Sequence, residues 1–263
     1  MRFGPVPKYP LVNNYKRPNY DFITIVGPCS YESREQIAVI ARELSMHAVT
    51  HFRCGVFRAG TYPPENIGMI PESEIEYIHQ LAGSVGAKTL FEILDYRDEA
   101  LRVYTKYADC WQIGARQMQN YTLLNIAGSS GKTVFLKRHP GSTLNEWLGA
   151  AEYLLRAGCP ELYLIERGSV SHVDHVRWEL SISTIAAIKQ MCDIPVIVDA
   201  SHGTGRRDLV EPMTLAGIAA GADGFLCEVH PNPDESVSDS QQAYQLESYG
   251  QLRGKVEQIM VII

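Results

Sequence analysis

Eight short apolar runs, separated by segments of helical period, constrain this chain more than any other feature. The runs cover residues 22–26, 51–57, 89–93, 110–113, 133–136, 162–165, 196–198 and 224–229, and all are rich in β-branched or aromatic residues. Most are bounded by Gly, Pro or charge, the pattern of parallel strands covered on both faces. Helical patterning fills the gaps, for example over 33–47, 72–85, 144–157, 176–191 and 209–220. Thr143 and Glu146 have the spacing of a capping box at one helix start. Eight β-then-α units in one chain of 263 residues predict a (β/α)8 barrel over 21–263. A doubly wound open sheet is the alternative, because periodicity does not reveal closure. Residues 1–20 read as a Pro-rich N-terminal extension, an extended segment or hairpin under the barrel floor. The tail after Asp239 reads as the last helix.

Composition narrows the function class. With 24 Lys and Arg against 30 Asp and Glu, the formal charge of -6 argues against a general nucleic-acid binder. No stretch approaches the roughly 18 apolar residues of a membrane span, and residues 1–21 lack the apolar centre of a targeting signal. The six cysteines form no CxxC pair and no framework spacing. They are expected to be reduced thiols of a cytoplasmic protein, five in packing roles, with Cys29 the exception.

In a barrel the chemistry sits at the C-terminal ends of the strands. The first run is followed by Gly27-Pro28-Cys29-Ser30; the second carries Arg53 and ends at Arg58. The third ends at Glu92 and Asp95, the fourth at Gly114-Ala115-Arg116, the fifth at Lys137-Arg138. The sixth ends at Glu166-Arg167-Gly168, the seventh at Asp199-Ala200-Ser201-His202, the eighth at Glu228-Val229-His230. One charged strand end needs no explanation, since it meets solvent; eight in succession do. Arg53, Arg58, Arg116, Lys137 and Arg167 repel one another if gathered, unless an anion compensates them. A ligand bearing phosphate and carboxylate would do so, and the arginine fork suits both groups.

Cys29, His202, Glu228 and Asp239 form a mixed thiol, imidazole and carboxylate set suited to a borderline divalent metal. Taken singly, Cys29 reads as a small buried residue and His202 as a hydrogen-bonded loop residue. Closure of the barrel would bring them together, since the first and eighth strands become neighbours. Residues 128–133 imitate a phosphate loop, but Ile126 occupies the first glycine position and a strand follows. His51, His79 and His139 lack companions at ligand spacing and read as surface or packing residues.

These strings resemble the type Iβ 3-deoxy-7-phosphoheptulonate (DAHP) synthases, from about residue 20 to the end. The resemblance rests on Gly27-Pro28-Cys29-Ser30, Ile113-Gly114-Ala115-Arg116 with Met118-Gln119-Asn120, and Leu136-Lys137-Arg138. It also rests on Glu166-Arg167-Gly168, Ser201-His202-Gly203-Thr204-Gly205-Arg206-Arg207, Glu228-Val229-His230-Pro231 and Ser238-Asp239. The related 3-deoxy-octulosonate 8-phosphate synthases share some of these strings. The resemblance implies a (β/α)8 transferase of the shikimate pathway, for aromatic amino acid biosynthesis. It would condense phosphoenolpyruvate with an aldose phosphate, erythrose 4-phosphate, as a homo-oligomer, a dimer or tetramer. It further implies a divalent ion (Mn, Fe, Co or Zn) on Cys29, His202, Glu228 and Asp239. Arg116, Lys137 and Arg167 would bind the phosphoenolpyruvate phosphate and Arg53 its carboxylate, with Lys137 and Glu92 as candidates for proton transfer. Regulated members carry an extra domain, so this chain is expected to be a bare catalytic core.

The sequence departs from that family on the acceptor side. Where the family has Lys-Pro-Arg-Thr-Ser, this chain has Arg58-Ala59-Gly60-Thr61-Tyr62, so a phosphate-holding arginine becomes Gly60 while Thr61 is kept. After Gly168, Ile-Arg-Thr-Phe-Glu becomes Ser169-Val170-Ser171-His172-Val173. Arg58, Arg206 or Arg207 could compensate. Two alternatives follow: a paralogue using another aldehyde, or a non-catalytic ligand-binding barrel, the latter disfavoured by the complete metal set.

Overall fold

The computed structural model describes residues 9–18, 22–58 and 67–262. In it the eight runs become β1 (Ile23–Gly27), β2 (His51–Arg53), β3 (Lys88–Glu92), β4 (Cys110–Ile113), β5 (Thr133–Lys137), β6 (Leu162–Glu166), β7 (Val196–Asp199) and β8 (Gly224–His230). All are parallel and follow one another in chain order. β8 returns to pair with β1, Ile23 facing Gly224 and Gly27 facing Glu228. That closure decides for the barrel over the open sheet.

Each strand is followed by a principal helix: Arg34–Leu44, Glu72–Ser84, Asp98–Tyr107, Tyr121–Ser129, Leu144–Arg156, Ile182–Met191, Arg207–Ala219 and Tyr249–Ile262. The Thr143–Glu146 capping box forms as expected. Strand alternation divides the core in two. Outward residues such as Val26, Phe52, Trp111, Leu136 and Val198 pack on the helices. Inward residues, among them Ile25, Leu90, Cys110, Phe135, Ile165, Ile197 and Leu226, fill the barrel. Phe135 stacks on Tyr163 with centroids 4.6 Å apart, and His51 meets Phe135 edge-on at 5.0 Å. The closed, side-chain-filled interior leaves only its ends for a site.

Three sequence expectations change. The second run ends at Arg53, and Phe57–Arg58 instead pairs antiparallel with Gly68–Met69 outside the wall. The cause is at Gly55, where a Cβ would lie 2.2 Å from the Cys29 carbonyl oxygen as the chain turns away from the barrel. The helix expected over 176–191 starts only at Ile182. Arg177 and Trp178 donate their amides to Thr204 and Gly203 instead, and Ser169 bridges Glu179, folding this segment over the mouth. Where an extended segment or hairpin was expected in the N-terminal segment, its described residues 9–18 form a helical turn (Pro10–Asn13) against the floor. Its Leu11 and Val12 amides donate to Glu152, Tyr15 accepts from Leu162 at the start of β6, and Arg17 pairs with Asp223 ahead of β8. The 128–133 segment is no phosphate loop: Lys132 donates to the Ala108 carbonyl and Thr133 begins β5. No helix among the described residues is long and apolar enough to cross a membrane.

Candidate active site

Two residues beyond each inward core residue, the alternation delivers a group to the C-terminal mouth. Ile25 leads to Gly27, His51 to Arg53, Leu90 to Glu92, Cys110 to Gln112 and Phe135 to Lys137. Ile165 leads to Arg167, Ile197 to Asp199 and Leu226 to Glu228. One cavity of about 840 Å³ collects most of them, with Cys29, Arg116, Arg177, Trp178, His202 and Asp239. Two glycines make room for the groups beside them. Gly27 has φ of 151°, and a Cβ there would sit 2.0 Å from the Arg53 carbonyl oxygen. At Gly114 a Cβ would sit 1.9 Å from a Glu92 carboxylate oxygen.

One side of the cavity is anionic. The ligand atoms of Cys29, Glu228 and Asp239 lie within 4.8 Å of one another. The Cys29 thiol donates to Asp239 Oδ2 at 3.2 Å. Withdrawal from water, and then the Glu228 charge, push that thiol well above its ordinary pKa. His202 joins this trio through Glu228, with Nε2 3.0 Å from Oε1. Its other face is drawn to Asp199, Nδ1 lying 2.8 Å from Oδ2. Glu228 is wholly buried between Arg53 and Gln242, which donate to its two oxygens. Burial alone would raise its pKa; His202 and Arg53 outweigh it and hold the carboxyl well below the usual range.

These residues fit a divalent cation. A sulfur and two carboxylates held this close are a donor set of the right chemistry for one.

The second set of charges is cationic. Lys137 is buried with Nζ 3.0 Å from Asp199 and 3.4 Å from His202 Nδ1. Burial opposes ionisation of Asp199, yet His202 and Lys137 hold its pKa below the carboxylate norm. Arg167 lies over the Trp178 ring at 5.9 Å and donates to the His202 carbonyl at 3.2 Å. Its burial lowers its pKa, the mark of a cation that an anionic ligand would stabilise. Arg116 stands at the rim on the 3-10 turn Ala115–Gln117. Glu92 accepts from Gln112 at 3.0 Å.

Of the residues expected at the site, Arg53, Glu92, Arg116, Lys137 and Arg167 line this one cavity with Cys29, His202 and Asp239. Arg58 ends its short strand outside the wall, and Thr61 and Gly60 lie outside the described residues. Arg206 is engaged by Asp208 and the His175 carbonyl, and Arg207 by main-chain carbonyls, so neither faces the cavity. His139, read as surface or packing, lines it. Gln112, Arg177 and Gln242 were not singled out by residue type, and Asp199 was named at its strand end without a role. Strand period alone points to Gln112 and Asp199; Arg177 and Gln242 sit in loops and carry no such signal.

Comparison with known proteins supplies the family. The sequence profile of the DAHP synthetase I family matches residues 16–263. The phospho-2-dehydro-3-deoxyheptonate aldolase of Thermotoga maritima is 39% identical over 231 residues, covering 88% of this chain and 68% of that protein. A 2-dehydro-3-deoxyphosphooctonate aldolase of Syntrophotalea carbinolica is 25% identical over 264 residues, 93% of this chain and 91% of the other. The crystal structure of the Thermotoga maritima DAHP synthase superposes with a TM-score of 0.86 at 36% identity, over 92% of this chain and 70% of that one. Its truncated form gives 0.83 at 36% identity, over 92% and 87%. A barrel whose strand ends carry this donor set and this cationic face, matched along nearly its whole length, belongs to the DAHP synthetase I family.

Proposed function

We propose that this chain condenses phosphoenolpyruvate with erythrose 4-phosphate, giving 3-deoxy-7-phosphoheptulonate and inorganic phosphate. The observation that carries this reading is the meeting of two charge sets at one cavity, cationic Lys137 and Arg167 joined through His202 to the Cys29, Glu228 and Asp239 donors. Cys29, Glu228 and Asp239, with His202, would hold a divalent ion. The chemistry such an ion supplies is polarisation of the acceptor's carbonyl oxygen.

Arg116, Lys137 and Arg167 bind the phosphate of phosphoenolpyruvate. Arg53, one nitrogen committed to Glu228, offers the rest of its fork to the carboxylate. In the reaction C3 of phosphoenolpyruvate bonds to the aldehyde carbon, whose oxygen takes a proton and becomes a hydroxyl. Water adds to C2, and the resulting phosphohemiketal expels phosphate and leaves a ketone. Lys137, fixed by Asp199, and Glu92, fixed by Gln112, are the groups placed to move the protons. Holding both reactants in one closed mouth provides the orientation that a two-substrate condensation requires.

Gly60, standing where the family places an arginine, favours a second reading in which a different aldehyde is the acceptor. Family membership supports a cytoplasmic homo-oligomer, dimer or tetramer, which light scattering on the purified protein would check. Phosphate release measured with phosphoenolpyruvate and a panel of aldehydes tests the function. Erythrose 4-phosphate should give the highest kcat/KM. Another aldehyde in that place would move the assignment to the second reading, and no release with any of them would refute both.

A further inference from the structure

We propose that Glu32 and Arg207 are positioning residues that clasp the 231–243 segment from two sides and so hold Asp239 against Cys29 in readiness for a divalent cation. The inference rests on the reading of Asp239 as a ligand. Asp239 is the non-glycine residue with positive φ among those described, at 50°. A side chain persists in that conformation only where its surroundings over-determine it. Apolar burial does not do so at Asp239, which is exposed, as is Val237 at 74%.

Polar contacts hold the segment instead, and they come from two different loops. Before Asp239, the Val237 amide donates to Glu32 Oε1 at 3.1 Å, and His230 Nε2 lies 3.3 Å from the same oxygen. Ser238 Oγ donates to Ser30 Oγ at 3.0 Å. Both Glu32 and Ser30 stand in the loop that carries Cys29. After Asp239, Arg207 reaches three carbonyls. Its amide donates to Gln241 at 2.8 Å, Nε to Ala243 at 2.9 Å and Nη2 to Ser240 at 2.8 Å, with Asp234 also 2.8 Å from Nη2. Asp239 itself closes the turn, accepting from the amides of Gln242 and Ala243. The chain is thus pinned on both sides of one residue whose carboxylate lies 3.2 Å from the Cys29 sulfur. A planar fork suits this clamp on carbonyl and carboxylate oxygens, which a lysine would reproduce only in part.

The test is the affinity of the metal-free protein for Mn²⁺, followed by the signal of free Mn²⁺, in parallel with thermal unfolding. Glu32→Ala and Arg207→Ala should each weaken Mn²⁺ binding about 10- to 100-fold, the effect usual for groups that orient ligands. The Tm of the metal-free protein should stay close to wild type. Glu32→Gln and Arg207→Lys should restore part of the affinity and keep the proposal testable if an alanine variant does not fold. Asp239→Ala serves as the ligand control. Wild-type affinity in both clasp variants, with affinity lost in Asp239→Ala, would overturn this inference alone. Wild-type affinity in Asp239→Ala would overturn the ligand assignment, and the inference with it.

Discussion

Glu228 touches more of the site than any single ligand needs to: Arg53, His202 and Gln242 all meet its carboxylate, and Cys29 and Asp239 lie beside it. Removing a partner of a buried charge leaves the others uncompensated. Glu228→Gln and Cys29→Ala should therefore lose bound metal and turnover together, measured by metal analysis after dialysis and by phosphate release. Full activity in excess chelator would contradict the metal reading. Arg167 makes a separable contribution, because it touches the main-chain carbonyl of His202 and the Trp178 ring rather than any donor atom. Arg167→Ala should weaken phosphoenolpyruvate by on the order of 1.5–3 kcal/mol, the worth of a charge-assisted contact. Calorimetry decides it, and an unchanged Kd would remove Arg167 from the phosphate site. Residue type alone directed attention to Arg53, Lys137 and Glu228, since charge is conspicuous at a strand end. It did not reveal that these charges are already paired with Glu228, Asp199 and Arg53. Pairing depends on which strands become neighbours, and that is fixed by closure.

At the scale of elements, the strands were legible because a barrel wall is apolar on both faces while its ends are not. Only β2 was misjudged in kind: its run continues past Arg53 as an apolar pattern, but the close approach of Gly55 to Cys29 turns the chain out of the wall. The loop after β6 was misjudged for a related reason. Its main chain bonds to the loop after β7 and bridges Ser169 to Glu179, a choice of partners that no helical period records. Helix starts behave locally and were easier to read. Thr143 and Glu146 satisfy each other's main-chain amides at the start of Leu144–Arg156, and neither lines the cavity. Thr143→Ala should cost about 1 kcal/mol of stability in urea denaturation and leave kcat unchanged. A loss of kcat without a loss of stability would mean that this helix has some other role.

For the whole molecule, acid sensitivity should begin in the barrel interior. Burial first, and then the Lys88 charge, lower the pKa of His51 to about 3. The folded state thus keeps this imidazole neutral while the unfolded chain protonates it near its ordinary value of 6.5. Its contribution is present in full above that value and is lost as pH falls from 6.5 towards 3. The slope is at most about 1.4 kcal/mol per pH unit for one proton. Asp199 and Glu228 act in the same direction but only once the pH nears the ordinary carboxylate range, about 4. His51→Gln should accordingly flatten the fall in unfolding free energy between pH 6 and 4.5, followed by chemical denaturation at each pH. An identical slope in variant and wild type would assign the acid sensitivity elsewhere.

Cys29 and Asp239 stand 210 residues apart, and they meet where β8 closes on β1. The sulfur stands just after the first strand and its carboxylate companion just after the last. No piece of the barrel that lacks either β1 or the segment after β8 contains both. The donor set therefore works as a check on closure: only a barrel that has joined its last strand to its first brings these donor atoms together.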